Sequence, residues 1–310
     1  MTTTPLRFGL MTYEAAPWPE LTARWRAFEE QGFDSLWAGD HVWSSIDGSG
    51  ATSRPRFDAW QLAAGIVAAT ERITVGTLVS AFPLRNPAVL AKQTVTLDHM
   101  SGGRFVPGIG AGGNPKDHAV AGVETWPSAE RAARFDEYSA VVGGLLRQDR
   151  FDFSGSHYHV EGAVRAPAPV AVDHPPLLIA AHVESTIRIA ARDADIWSSY
   201  GTLFSQLRRG VKLSEAESLR LTRDRGRLLD EHAEQFGRDP ASIRKSFMAG
   251  FTEDAPFESA ERFTDFIGRF SEIGITEFMF PYPLQGSHKE GVFEEVVAEV
   301  LPRLRTEGVR

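Results

Sequence analysis

The sequence predicts an α/β protein folded as a single (β/α)8 (TIM) barrel. Apolar or β-branched runs begin near residues 6, 35, 73, 104, 177, 196, 243 and 276, and a helical pattern follows each of them. No linker, low-complexity tract or change of composition divides the 310 residues, of which 42% are hydrophobic. Eight alternating units without a break favour one barrel over two doubly wound domains, so residues 1–310 are predicted to form one domain.

The first four units are predicted from hydrophobic periodicity and from helix stop signals. Strands are predicted over residues 6–12 and 35–38, from residue 73, and over residues 105–109. Helices are predicted over residues 18–31, 57–70 and 87–100 and, after a polar loop through Pro127, over residues 128–147. Gly102 and Gly103 stop the third helix, because glycine accepts the left-handed conformation that ends a helix. Residues 42–56, rich in Ser, Gly and Pro, are predicted to form a loop over the strand ends.

The last four units follow the same pattern with two irregular segments. Strands are predicted over residues 177–181, 196–199, 243–251 and 276–280, and helices over residues 183–192, 214–236, 260–272 and 290–304. Residues 150–169 predict a small hairpin excursion at the mouth of the barrel, and residues 200–213 predict a loop. His157 and His159 would share one face of a strand, but no third metal ligand is evident, so we expect packing there and no metal site.

Composition argues against several classes of protein. The net charge of −8 disfavours nucleic acid or an anionic membrane as the main partner. The absence of cysteine excludes disulfides, thiolate metal sites and cysteine catalysis. The N-terminal residues lack the apolar region of a secretory signal, and no run approaches the roughly 18 apolar residues of a membrane span. We therefore expect a cytoplasmic protein.

Candidate functional residues are those at the C-terminal ends of the predicted strands, where barrels carry their catalytic groups. These positions hold Thr12, Asp40, His41, Val79, Ser80, Gly110, Gly112, Gly113, Ala181, His182, Ser199 and Tyr282. The glycines after the fourth strand would let a flat or anionic ligand approach the backbone closely. An imidazole such as that of His41 can donate or accept a proton near neutral pH.

Several motifs occur together in barrel order. They are Gly32-Phe33-Asp34-Ser35-Leu36-Trp37 with Asp40-His41, Asn86-Pro87-Ala88, Ser101-Gly102-Gly103-Arg104-Phe105 and Gly108-Ile109-Gly110-Ala111-Gly112. In this combination the sequence resembles the luciferase-like flavin monooxygenase superfamily, which includes bacterial luciferase and the coenzyme F420-dependent barrel enzymes. The resemblance covers nearly the whole chain and is strongest in its N-terminal part.

The resemblance implies a flavin or deazaflavin bound at the mouth of the barrel. It places the tricyclic ring against Leu78 and Val79, which a cis peptide would join, and it adds Thr12, Asp40, Gly110, Ala111 and Gly112 as cofactor contacts. The cofactor phosphate would lie near Ala181, His182 and Ser185, where free N–H groups at a helix N-terminus suit an anion. The substrate pocket would include Trp43, Gly113 and Tyr200.

The resemblance also places His41 beside the reaction centre, with Asp40 as its acidic neighbour. We expect Asp40 to bond the cofactor ring rather than to hold His41, since side chains of adjacent strand residues point oppositely. Two departures from the family stand out. Ala111 occupies the position of an arginine that luciferase has near the phosphate, and Gly113 occupies that of a glutamate proton donor in F420-dependent dehydrogenases. Arg208 and Arg209 are either a solvated pair or a grip on an anionic cofactor tail.

The function implied by the resemblance is a flavin-dependent oxidoreductase, with two catalytic residues, His41 and Asp40. The first expectation is a two-component monooxygenase that uses reduced FMN and O2 on a small organic substrate. A separate flavin reductase would supply the reduced FMN, because nothing in the chain resembles a nicotinamide-binding domain. The alternatives are a coenzyme F420-dependent reductase or dehydrogenase and a non-catalytic flavin-binding barrel. A homodimer is expected by analogy with the family.

Overall fold

A computed structural model describes residues 5–12, 15–43, 56–284 and 289–308, and it confirms the α/β barrel. In chain order the strands are β1 (Arg7–Thr12), β2 (Ser35–Ala38), β3 (Thr74–Thr77), β4 (Ser80–Ala81), β5 (Phe105–Val106), β6 (Gly108–Gly110), β7 (Arg150–Ser154), β8 (His159–Val164), β9 (Leu178–Ala180), β10 (Ile196–Ser199), β11 (Arg244–Met248) and β12 (Glu277–Tyr282). Each of the eight predicted barrel strands is present.

All of these strands except β7 and β8 pair in parallel in one curled sheet with eight positions. The third position consists of β3 and β4 and the fourth of β5 and β6, because β3 pairs with β5 and β4 pairs with β6. The Leu78–Val79 peptide between β3 and β4 is cis, as the resemblance implied. β1 lies between β2 and β12, with Thr12 opposite both Ala38 and Tyr282. The C-terminal ends of these parallel strands therefore all lie at the same end of the barrel, which we call the mouth.

Helices lie between the strands, and two short ones occur where the sequence predicted loops. In chain order they are α1 (Trp18–Glu30), α2 (Ala59–Ala69), α3 (Pro87–Ser101), α4 (Pro115–Ala121), α5 (Ser128–Arg147), α6 (Glu184–Asp193), α7 (Phe204–Arg208), α8 (Glu215–Gln235), α9 (Ala260–Glu272), α10 (Val292–Glu295) and α11 (Leu301–Glu307), the last two joined by a π-helical turn. The predictions of loops were wrong at α4 and α7. Asn114 caps α4 by accepting a hydrogen bond from the backbone N–H of Lys116, and Gly122 ends it at a φ of 65°.

The inside of the barrel is filled by side chains around the indole of Trp37. Met11, Val106, Leu178 and Met279 are among the buried side chains of this inner cluster. Gly76 makes room for the indole, since a Cβ there would lie 2.4 Å from Trp37 Cζ3. A barrel with a filled interior leaves its strand ends as the place where a ligand can bind.

The predicted hairpin excursion is present, because β7 and β8 pair antiparallel outside the barrel. Its predicted place at the mouth was wrong, because the hairpin follows the C-terminal end of α5 and the chain beyond it bonds Asp98 just before β5, at the end of the barrel away from the mouth. The Glu137 carboxylate accepts the backbone N–H groups of Ser156, His157 and Tyr158, which holds the turn of this hairpin against α5. Within the described residues, no three His, Cys, Asp or Glu side chains come together as metal ligands would. Among the described helices, none has the length and hydrophobicity required to span a bilayer.

Candidate functional site

Asp40 follows β2 at the mouth and forms a buried ion pair with Arg85. Arg85 Nε and Nη2 donate to the two Asp40 carboxylate oxygens at 2.8 and 3.0 Å, and only 3% of Asp40 is exposed. Arg85 Nη2 also donates to Asp58 at 2.7 Å. Burial alone would lower the pKa of Arg85, but its bonds to Asp40 and Asp58 outweigh that effect and raise it. Both Asp40 oxygens thus have a protein partner, and a bond from Asp40 to a cofactor ring stays a prediction.

His41 points to the mouth and is oriented by Asp117, a residue of α4 that the sequence reasoning missed. His41 Nδ1 and Asp117 Oδ2 are 2.7 Å apart, and 36% of the His41 side chain is exposed against 4% of Asp117. Burial would raise the pKa of Asp117, but hydrogen bonds from His41, Trp43 and Asn114 outweigh burial and lower it. An ionised carboxylate can only accept, so His41 Nδ1 carries a proton and donates it to Asp117, and Nε2 is the ring nitrogen left for a ligand.

The Asp117 carboxylate also fixes the chain that follows His41. Asp117 Oδ1 accepts the backbone N–H groups of Val42 at 3.0 Å and Trp43 at 2.9 Å, and Asn114 Nδ2 donates to Oδ2 at 2.7 Å. Lys116 Nζ lies 4.0 Å from the centre of the Trp43 ring, a cation–π contact. Trp43 therefore lies against α4 beside His41. The rest of the predicted loop, residues 44–55, lies outside the described residues.

The predicted cofactor contacts at the ends of β4 and β6 pack closely on one another. A Cβ at Gly110 would lie 2.6 Å from Val79 Cγ2, and one at Gly112 would lie 2.6 Å from Pro83 Cδ. Gly113 faces the ring of Phe204, 3.3 Å from the position of a Cβ. Close contact with neighbouring protein atoms thus explains why these positions are glycine. The approach of a ligand, which the sequence suggested, is a second possible reason. Thr12, at the end of β1, is 3% exposed, and Ala111 is half-buried.

The residues predicted to hold a cofactor phosphate lie on the wall formed after β9, and their role stays a prediction. Ala181 is fully buried and its carbonyl accepts from Trp197 Nε1, whereas Ser185 is exposed on the first turn of α6. The backbone N–H groups of His182 and Val183 already donate to the Thr186 hydroxyl, each at 3.3 Å. These two donors are therefore engaged with the protein, so a phosphate there requires other partners.

His182 and Tyr200 are in contact on this side of the mouth. Their ring centres are 3.7 Å apart, and Tyr200 also contacts Phe251. Burial, with a smaller contribution from Arg225, lowers the pKa of His182 well below its usual value, so the ring is neutral. Burial raises the pKa of Tyr200 to about 12. His182 Nδ1 is buried without a hydrogen-bond partner among the described residues.

Arg225 of α8 is a second residue that the sequence reasoning missed. Its Nη2 donates to the Thr202 carbonyl at 2.9 Å and its Nη1 to Ser199 Oγ at 3.4 Å, and 4% of the residue is exposed. Ser218, Thr222 and Arg225 share one buried face of α8, but polar residues at helical spacing predict an exposed face, so the sequence carries no signal for this site. By contrast, Arg209 is exposed at the end of α7, and the side chain of Arg208 is not among those described.

Comparison with known proteins gives the family. Residues 1–289 match the family described as luciferase-like monooxygenase. An F420-dependent glucose-6-phosphate dehydrogenase of Beutenbergia cavernae is 30% identical over 323 residues, covering 89% of this chain and 90% of that protein. An uncharacterized protein of Mycobacterium tuberculosis is 30% identical over 260 residues, covering 80% of each chain.

Two solved structures share the fold at low sequence identity. The coenzyme F420-dependent tetrahydromethanopterin reductase of Methanopyrus kandleri gives a TM-score of 0.74 at 15% identity, over 97% of this chain and 99% of that chain. The long-chain alkane monooxygenase LadA gives a TM-score of 0.74 at 14% identity, over 99% of this chain and 93% of that chain. The chain therefore belongs to the luciferase-like monooxygenase family, and it is an oxidoreductase of that family.

Proposed function

We propose that the protein is a two-component monooxygenase that binds reduced FMN at the mouth and uses O2 to oxidise a small organic substrate. The observation that carries this proposal is the His41–Asp117 pair, a solvent-facing imidazole held in one tautomer by a buried carboxylate. The bound cofactor would supply the reducing electrons. His41 Nε2 would accept a proton from the substrate, or return one to it, next to the cofactor ring.

The residues of the mouth fit a ligand with one flat apolar part and one polar part. Leu78 and Val79 offer an apolar surface at the end of the third strand position. Further along the sheet, after β9 and on α8, His182 Nδ1 and Arg225 Nε are buried polar atoms without a protein partner in the described part of the chain. Buried polar atoms are nearly always hydrogen-bonded, so their lack of partners supports a polar ligand group on this side.

Hydride transfer from coenzyme F420 is the second candidate function. The similarity to glucose-6-phosphate dehydrogenases that depend on F420 favours it, as does Ala111, where luciferase has an arginine. Gly113 favours the monooxygenase instead. F420-dependent dehydrogenases have a glutamate proton donor at this position, which Gly113 lacks, and a side chain there would lie against the ring of Phe204. The proposal keeps a separate flavin reductase and a homodimer as partners, and both rest on the family resemblance alone.

Anaerobic titration tests the two candidates directly. The protein is titrated with reduced FMN and, separately, with oxidised and reduced F420, and binding is followed by absorbance and fluorescence. Saturable binding of reduced FMN, followed on mixing with O2 by turnover of an added organic substrate, is the expected result. Binding of F420 alone would replace the first candidate by the second. Binding of flavin without turnover of any acceptor would indicate a non-catalytic barrel, and no binding of either cofactor would refute both enzyme functions.

A further inference from the structure

Arg225 is a buried cation without an anionic partner in the described part of the protein. No Asp or Glu oxygen among the described residues lies within 4.0 Å of its guanidinium group, and its hydrogen bonds go to a carbonyl and a hydroxyl. Its Nε is buried and unpartnered. By comparison, Arg85, which is also largely buried, pairs with two carboxylates.

A buried, unpaired guanidinium destabilises a protein unless an anion pairs with it. Moving a guanidinium out of water carries a penalty of several kcal/mol, and buried charges in proteins are therefore nearly always paired. Burial lowers the pKa of Arg225 to about 10, which still leaves it charged at neutral pH. The balancing charge is thus absent from the described chain and has to come from something that binds to it.

The position of Arg225 places this unbalanced charge at the mouth. The two groups that it bonds, Ser199 and Thr202, lie at and just beyond the end of β10. It also interacts electrostatically with His182, just after β9, and with Tyr200. His182 Nδ1 and Arg225 Nε are two of the unpartnered buried atoms on this wall, and the two residues are within electrostatic range of each other. The Tyr200 hydroxyl makes no hydrogen bond to the described residues and is a further donor here.

We propose that Arg225 is the counter-charge for an anionic ligand group, a phosphate or a carboxylate, that enters the mouth between the ends of β9 and β10. The inference rests on the proposed function in one respect, since the phosphate tail of the cofactor is one source of such a group. An acidic group of the substrate is the other source. If the cofactor brings the anion, the cation that luciferase carries at the position of Ala111 is replaced here by one that comes from α8.

The test compares ligands that differ only in the anion. Dissociation constants are measured by fluorescence for FMN against riboflavin, and for F420 against its deazaflavin core without the phosphate tail. The variants are Arg225→Met, Arg225→Lys and, as a matched control, Arg227→Met, which removes an exposed arginine from the same helix. Inorganic phosphate is used as a probe without any ring, and its effect on the melting temperature of each variant is recorded.

If the cofactor brings the anion, the wild-type protein should bind the phosphate-bearing ring about 100-fold more tightly than the phosphate-free ring. Arg225→Met should reduce this ratio to near one without weakening the phosphate-free ring, and Arg227→Met should leave it unchanged. If the substrate brings the anion, the wild-type ratio is near one, and phosphate raises the melting temperature of the wild type and of Arg227→Met but not of Arg225→Met.

An Arg225→Met protein with the wild-type ratio and the wild-type response to phosphate would overturn the proposal. If that variant does not fold, Arg225→Lys gives the decision, because lysine keeps the charge but loses the two-pronged geometry. For Arg225→Lys, an at least tenfold decrease in the preference for the phosphate-bearing ring, or loss of the melting-temperature increase caused by phosphate, supports the proposal. Wild-type values of both quantities contradict it. Failure of every ring to bind would refute the proposed function, while the phosphate measurement would still test Arg225.

Discussion

Replacing Asp117 with Asn tests whether this buried carboxylate orients His41, the exposed catalytic candidate. The substitution keeps the size of the side chain and one oxygen, which can still accept the backbone N–H groups of Val42 and Trp43. The new amide nitrogen would face two donors, His41 Nδ1 and Asn114 Nδ2, and it can accept from neither. The fold should survive, but the orientation and the tautomer of His41 should not.

The magnitude follows from the kind of bond that is lost. A hydrogen bond to a charged group contributes about 1.5–3 kcal/mol. A loss of about 2 kcal/mol in the stabilisation of the reactive His41 tautomer corresponds to a decrease of about 30-fold in turnover, since about 1.4 kcal/mol is tenfold. The same substitution should also remove the downfield proton resonance expected for a hydrogen-bonded imidazole Nδ1–H.

Two measurements and one control decide the outcome. Turnover is measured with the cofactor identified by the titration, and the imidazole proton is observed by NMR in the cofactor-free protein. The control is Glu137→Gln, because Glu137 likewise holds a loop by accepting backbone N–H groups, but on the hairpin outside the barrel. We expect the control to keep full turnover. If Asp117→Asn keeps wild-type turnover and an unchanged imidazole resonance, Asp117 does not orient His41.

The remaining predictions concern stability, measured as the free energy of unfolding in urea. Gly108→Ala would place a Cβ 2.0 Å from the Thr77 carbonyl oxygen and should cost about 3 kcal/mol or more, and a variant of wild-type stability would disprove the close packing of β6. Asp40→Asn should cost about 3 kcal/mol, because it breaks a buried ion pair on one side only, and a loss below about 1 kcal/mol would contradict that. Burial tends to raise the pKa of Asp58, but bonds from Arg85 and the α2 backbone outweigh it and lower the pKa. The contribution of Asp58 should therefore be complete above the ordinary aspartate pKa and be lost as the pH falls through its lowered value, so the difference in stability between the wild type and Asp58→Asn should shrink as the solution is made more acidic, and a difference independent of pH would contradict this.

The barrel could be predicted from the sequence because its signals are local. Strand and helix bounds follow from apolar periodicity and from stops such as Gly102, and most predicted ends lie within a few residues of those observed. The two missed helices, α4 and α7, have only 7 and 5 residues, too few for a hydrophobic period to appear. The local signals for α4 were Asn114 and Pro115 at its start and Gly122 at its end.

The site was predicted less completely because its key pairs are distant in sequence. His41 meets Asp117 across 76 positions, and Asp40 meets Arg85 across 45. The position of His41 at a strand end follows from the sequence, but which carboxylate orients it depends on how two loops pack at the mouth. The acidic residue nearest to His41 in sequence is Asp40, but in the structure Asp40 forms its ion pair with Arg85.

The charges at the mouth divide it into two unequal sides, and this division constrains how a ligand can lie in it. On the side of β2, each acidic group has a protein partner, since Arg85 balances Asp40 and His41 bonds Asp117. On the side of β10, Arg225 has none among the described residues. A ligand with a neutral reactive part and an anionic part gains most when the reactive part lies at His41 and the anion lies toward Arg225. In the reverse orientation the anion would lie beside the Asp117 carboxylate, so like charges oppose it. The two proposals thus support each other, because the charge of Arg225 would turn the reactive end of a ligand toward the proton acceptor.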